Sequence, residues 1–397
     1  MHIYRMILSS HLASLALALL ALLTVATSPV SAVKCGDTIS QNTVLTADLT
    51  CPCSLREDDH ALFVEGPATL DLNGHTVSCT NSKGWAAACI AISGKGVIIK
   101  NGIVKGCDWG VLIIDESQGA LIKDMIALDN AIHSIAIYSG NNHRVLNVAV
   151  TAPAGDTTSY GITLYGNNNQ VKDCYLLRSG IELSGKNNAV ISNIVEDIEN
   201  DCIRSSGGGS VIKNNTLRRC GWYGVEVAAS NSSIVGNKFY STRAASIKAS
   251  FSARDKYFTR TRIAGNQIYK SGGDGIQLWA VRNVVVDSNV IVDSAANGIL
   301  LPSSTARCTV TNNTIRNCGT TGLRIKGADD NNFADNKISF CGNTGISAGL
   351  GSNRNRFINN RASNNALIDL KDWSANCGSN IWKGNTGKGN IACTLKT

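Results

Sequence analysis

Val211-Ile212-Lys213-Asn214-Asn215-Thr216-Leu217 is the stretch that decides the fold. Its Asn215 has an apolar residue three positions before it and another two positions after it. The same pattern returns in Phe333-Ala334-Asp335-Asn336-Lys337-Ile338. Extended in both directions it reads Asn101, Asp124, Asn147, Asp173, Asn193, Asn215, Asn237, Asn266, Asn289, Asn313, Asn336, Asn360 and Asn385. Successive steps run from 20 to 29 residues, most of them 22 to 24. A repeat of that length is the signature of a solenoid. A polar side chain turned inward at one point of every repeat is tolerated only if it bonds its copies above and below, so the series predicts an asparagine ladder.

Around each copy lie short runs rich in Val and Ile, bounded by Gly, Asn and Ser, and these read as strands. Strands that return to the same place in every repeat stack in parallel, and parallel crossovers are right-handed in nearly all cases. The expectation is an all-β chain: a single-stranded, right-handed parallel β-helix of about a dozen rungs with disulfide-pinned caps. Leucine-rich repeats share the period but need Leu at several fixed positions, where this chain has Val, Ile and Asn.

The flanking segments fit that frame. His2 and Arg5, the apolar run from Leu12 to Val25 and the small residues Val30-Ser31-Ala32 predict a secretory signal over 1–32, too short in its apolar part to span a bilayer. Residues 33–84 depart from the repeat and are expected as an N-terminal cap, 85–371 as the β-helix and 372–397 as the C-terminal cap. All 14 cysteines follow residue 32, an even number that suits disulfides in an exported chain. Cys318 and Cys341 hold equivalent places in adjacent repeats, and Cys377 and Cys393 are placed to pin the C-terminal end. Beyond residue 32 there are 36 basic against 29 acidic residues. In an exported chain this balance points to an anionic polysaccharide, with no nucleic-acid or membrane partner. A monomer in the extracellular space or cell wall is expected.

A second motif, x-Gly-apolar-x-apolar-x, also recurs once per repeat, beginning at Trp109, His133, Tyr160, Ser179, Asp201, Tyr223, Ala245, Asp274, Asn297, Thr321 and Thr344. By the period-two rule its apolar pair points inward and the residue between them outward. The outward positions are Leu112, Ala136, Thr163, Glu182, Arg204, Glu226, Lys248, Gln277, Leu300, Arg324 and Ser347. With rungs ~4.8 Å apart, Glu182 to Gln277 form a polar stripe about 20 Å long. His133, Tyr160, Asp201, Tyr223 and Asp274 flank it on one side, and Tyr138, Tyr165, Trp279 and Lys326 on the other. Opposite charges alternating along a sheet also serve as plain cross-strand pairs. Rings concentrated beside the charges, in a chain with 6% aromatics, favour a sugar-binding groove. The insertion Phe251 to Arg262 follows the Lys248 strand and adds Arg254, Lys256, Arg260, Arg262 and Tyr257 at its edge.

The organisation resembles the pectate-lyase-like superfamily of secreted β-helix proteins over roughly 300 residues. Its members include pectate and alginate lyases, polygalacturonases, alginate (mannuronan) C5-epimerases and some non-catalytic binders. Tyr223-Gly224-Val225-Glu226 resembles the Tyr-Gly-apolar-Asp start of the catalytic segment in bacterial alginate epimerases, with Val227 and Ala228 where those continue Pro-His. The resemblance implies proton abstraction at C5 of a uronate. Arg204 would neutralise the carboxylate and Tyr223 transfer the proton. Glu226 would stand for the family's aspartate, with Asp201, Lys248, His133 and Tyr160 as further catalytic candidates. Glu182, Gln277, Trp279, Tyr165, Tyr138, Arg324, Lys326, Arg254, Lys256 and Tyr257 would bind substrate. Epimerisation is the leading expectation, and β-elimination on alginate or pectate shares its first step. A hydrolase reading rests on Asp201-Cys202-Ile203 and Gly322-Leu323-Arg324-Ile325-Lys326, which resemble polygalacturonase elements. A non-catalytic wall or matrix protein is the remaining alternative. No cofactor and no metal site are expected, although Ca²⁺ would suit a lyase.

Overall fold

The computed structural model describes residues 32–53, 60–80, 87–115, 117–155, 160–250 and 258–389, without the side chains of 258 and 259. The expected signal segment lies outside the described residues apart from Ala32. So do Arg254, Lys256 and Tyr257 of the insertion.

From Lys34 onward the chain is a parallel β-solenoid. Fifteen strands, from Thr38–Ile39 to Ile368–Asp372, stack in chain order into one sheet. Two further parallel stacks close the other sides of the coil. Rungs begin inside the stretch expected as a cap: Thr38 pairs with Phe63, and Leu49 with Val77. The strand Ile368–Asp372 crosses the boundary expected at 371 and 372. The short strands bury their middle residue, as in Val211–Lys213, where Ile212 is inside and its two neighbours are exposed.

The ladder is present from Asn193 to Asn385 and leaves no amide atom unpaired along its interior. Asn289 Nδ2 donates to Asn313 Oδ1 at 2.9 Å and to the Ile263 carbonyl at 3.0 Å. Its Oδ1 accepts from the backbone N–H and the Nδ2 of Asn266. Because both donors and the acceptor are used, the interior carries this polar column without a desolvation penalty.

The first four members of the series do not belong to it. Asn101, Asp124, Asn147 and Asp173 have φ of 59°, 54°, 52° and 55° and face outward. They align with Ser192 rather than Asn193, and the inward column there holds Gly102, Met125, Val148 and Cys174. Asn tolerates the left-handed corner as readily as it fills the ladder, so one residue of register separates two places that it suits equally. In the first three of these rungs the chain runs on as single eight-residue strands, Ile98–Lys105, Leu121–Leu128 and Arg144–Thr151, and at Asp173 it divides into Gln170–Lys172 and Tyr175–Leu177.

Cysteines brace the N-terminal part. Cys35 bonds Cys51, and Cys202 bonds Cys220. Cys53, Cys79, Cys89 and Cys107 form one cluster. Each sulfur has one S–S bond to give and Cys89 reaches only Cys107, so the cluster closes as Cys53–Cys79 and Cys89–Cys107. Cys318 and Cys341 stack in successive rungs as free thiols. Cys377 is disulfide-bonded, and Cys393 lies outside the described residues.

Candidate functional site

The outward stripe has the register that the period-two reading predicts. Along the 15-stranded sheet Leu112 pairs with Ala136, Ala136 with Thr163, Thr163 with Glu182, and Glu182 with Arg204. Arg204 then pairs with Glu226, Glu226 with Lys248, and Lys248 with Gln277. Leu300, Arg324 and Ser347 follow in turn. The glycine of the motif is a packing requirement. At Gly224 a Cβ would stand 2.5 Å from the Phe239 ring and 2.6 Å from the Ser246 carbonyl, so only Gly lets the rung come this close. At Gly180 a Cβ would stand 3.0 Å from the Tyr160 ring, which lies over this position.

The middle of the stripe is a charge network. Glu226 accepts from Lys248 Nζ at 2.9 Å and faces Arg204 Nε at 3.6 Å. Lys248 Nζ also sits 4.5 Å from the centre of the Tyr223 ring. Glu226 is thus held between two cations. Arg204 keeps half of its side chain exposed, with the Tyr160 hydroxyl and Glu182 also beside it.

Three flanking residues expected at the surface, Asp201, Tyr160 and Asp274, are buried. Asp201 is 4% exposed, and one carboxylate oxygen accepts the Tyr223 N–H at 2.9 Å. Burial pushes its carboxyl up to about 6, although the Tyr223 N–H pulls the other way. Cys202–Cys220 braces both sides of this contact, one cysteine following Asp201 and the other preceding Tyr223 by three residues. Tyr160 is buried too, and its hydroxyl makes no well-formed hydrogen bond among the described residues. Burial, reinforced by the Asp201 carboxylate, holds this phenol far above its usual range and therefore protonated. His133 Nδ1 lies 2.6 Å from the Tyr160 carbonyl. A carbonyl only accepts, so Nδ1 carries the hydrogen and Nε2 the lone pair. Burial lowers the His133 pKa and keeps the ring neutral.

On the opposite flank Tyr165 donates to Glu182 at 3.3 Å and stacks on Tyr138 with ring centres 5.4 Å apart. Trp109 reaches across the sheet from the first flank, its indole N–H 3.3 Å from the Tyr138 hydroxyl. These rings span the sheet where Leu112 and Ala136 point outward. Leu112, Ala136 and Thr163 are buried, so the N-terminal part of the stripe is not open surface. Trp109 begins a copy of the motif, which was the signal for its place.

Beyond Lys248 the expected residues separate. Gln277 and the exposed Trp279 remain on the face. Asp274 is buried, accepting the backbone N–H and the Nδ2 of Asn297 at 3.0 and 2.8 Å. Arg262, expected at the groove edge, belongs instead to the strand Arg262–Ala264 of another stack and pairs with Asp287 at 3.5 Å. Arg260 is exposed. Arg324 and Lys326 lie exposed at the C-terminal end, where Trp373 joins them. Trp373 occupies the same flank as Trp279 and Lys326. Its rung escaped the motif because Asp369 stands where the preceding rung has Gly345.

The one gathering of metal-type ligands among the described residues is Cys53, Cys79 and Cys107, whose sulfurs are engaged in disulfides.

A model of the family described as right handed beta helix region matches residues 155–263 and 256–394. The sequence has no significant match among curated proteins. Among solved structures the chain is similar to the A-module of the Azotobacter vinelandii mannuronan C-5 epimerase AlgE4, at 16% identity over 88% of this chain and 86% of that one, with a TM-score of 0.42. It is similar to the periplasmic alginate epimerase AlgG at 15% identity over 84% and 78%, with a TM-score of 0.46. A Streptomyces thermodiastaticus GH87 α-1,3-glucanase catalytic unit is similar at 14% identity over 87% and 64%, with a TM-score of 0.48. None of these likenesses bears on the chemistry of the face.

Proposed function

For a chain that belongs to the right-handed β-helix family, with one face built as above, we propose action on a uronate polysaccharide by proton abstraction at C5. The observation that carries this reading is the half-exposed Arg204 guanidinium with proton-transfer groups gathered around its rung. The C5 proton is removable only once the adjacent carboxylate is neutralised, and a planar guanidinium suits that task. Tyr160 lies two rungs before Arg204 with its hydroxyl buried, and Tyr223 lies one rung after it, so Tyr223 is the phenol within reach of a sugar held at Arg204. Tyr223 takes the main proton-transfer role, and the buried, protonated Tyr160 phenol sits beside Arg204. His133 positions Tyr160 through its carbonyl, and Asp201 fixes the Tyr223 backbone.

Removal at one face and return at the other gives C5-epimerisation, for which mannuronate in alginate is the proposed substrate. Loss of the C4 substituent from the same carbanion gives a lyase. Hydrolysis is less well supported. Asp201 and Asp274 lie three rungs, or about 14 Å, apart, farther than an inverting carboxylate pair with its water requires. Asp274 is also committed to Asn297.

One observation favours a non-catalytic glycan binder: Glu226 is compensated on both sides, as a purely cross-strand pairing would have it. Incubation with polymannuronate in D₂O separates these readings. An epimerase incorporates deuterium at C5 with no rise at 232 nm, and a lyase raises that absorbance. A binder does neither while still retaining the polymer. Lack of both signals on polymannuronate, polyguluronate and polygalacturonate would remove the catalytic reading.

A further inference from the structure

We propose a second acidic-sugar subsite at the C-terminal end of the same face, built on Arg324, Lys326, Lys371 and Trp373; it rests on the uronan reading above for the identity of the polymer. A shallow concavity of about 460 Å³ opens there, lined by Arg324, Lys326, Ser347, Leu350 and Trp373 among others.

Three features mark it as a binding place. Arg324, Lys326 and Lys371 have no carboxylate within ion-pair distance among the described residues, whereas Arg204 and Lys248 are both paired to Glu226. Uncompensated cations on one concavity call for an anionic ligand. Trp373 is 54% exposed yet held, its indole N–H donating to Ser347 Oγ at 3.2 Å. Lys371 Nζ lies 3.3 Å from the centre of its ring, covering one face and leaving the other to a sugar. Leu350, 72% exposed on the rim, extends the apolar surface. An indole face for the C–H side of a pyranose, with cations for a carboxylate beside it, defines a single acidic sugar residue as the ligand.

The register gives the spacing. Lys248, Gln277, Leu300 and Arg324 follow one another, so the two charged places lie three rungs, or about 14 Å, apart with uncharged side chains between. A polymer long enough to touch both gains affinity from the second contact without any new contact at the first.

Affinity electrophoresis of the full chain in gels containing polymannuronate, polygalacturonate or neutral dextran tests this. Trp373→Ala and the double variant Arg324→Gln/Lys326→Gln should each weaken retardation by the acidic polymers tenfold or more, with dextran inert throughout. Circular dichroism melts check that both variants, altered at exposed positions, remain folded. Unchanged retardation of both folded variants overturns the subsite, as does wild-type protein that no acidic polymer retards. Failure of the uronan chemistry shows separately, as absence of C5 deuterium and of 232 nm absorbance while polymer still binds.

Discussion

At the scale of single residues, the site depends on what burial does to groups that would be ordinary at the surface. The Asp201 carboxyl, ordinarily near 3.8, is raised to about 6 by burial. The folded chain therefore holds this proton over a range where the unfolded chain has released it. That contribution to stability is complete below about 3.8 and is lost as pH rises through about 6. Two pKa units correspond to ~3 kcal/mol at most. Asp201→Asn can still accept the Tyr223 N–H, so it should match the parent at pH 4 and melt higher than it at pH 7.5. Equal melting points at both pH values would show that the carboxyl is not desolvated. Arg204→Ala should abolish turnover while polymer binding survives through the remaining cations. Tyr223→Phe should bind and fold like the parent but lose ~10²–10⁴-fold in rate. Full activity of Tyr223→Phe on a confirmed substrate would transfer the main role to Tyr160 and His133.

At the scale of elements, each rung depends on the corner that joins its strands. Asn289 donates and accepts to two neighbouring rungs at once. Asn289→Leu removes its side-chain bonds and strands the backbone N–H and one Nδ2 hydrogen of Asn266, while Asn313 Oδ1 keeps only the backbone N–H of residue 289. A loss of ~1–3 kcal/mol is expected from such orphaned groups, read as a lower thermal midpoint. The Cys202–Cys220 bond acts at the same scale, tying the Arg204 rung to the turn that enters Tyr223 across 18 residues of sequence. Replacing both cysteines with Ala should cost ~3 kcal/mol by the loop-entropy relation. Any turnover should fall further than stability requires, because Asp201 and Tyr223 lose their common brace. Activity that simply tracks the folded fraction would leave the disulfide a purely structural role.

At the scale of the whole molecule, the proposed binding of an acidic polymer would draw on basic residues spaced along one line of the face. A polymer lying on the face as proposed would pass the Arg204–Lys248 network and then the Arg324–Lys371 cluster. Binding to acidic polymer should therefore weaken steeply between low and physiological salt, since exposed charges are screened beyond about 8–10 Å. Thermal stability, carried by buried columns and strands, should change little over the same range. Retention of polymer independent of salt would mean that ring contacts, and not charge, carry the affinity.

The solenoid and its outward stripe were legible in the residues alone, because both are local periodicities. A repeat step of about 22 residues sets the rung, and the period of two sets which side chains leave the sheet, from Leu112 to Ser347. Tertiary structure decided the rest. It placed Asn101 to Asp173 at the exposed corner and Asn193 to Asn385 inside, a choice set by how the rungs pack, since Asn fits either place. It buried Asp201 and Tyr160, carried the Trp109 ring across to Tyr138, and selected the cysteine partners. Residues far apart in the chain make each of these contacts, so no window of sequence contains the distances that govern them.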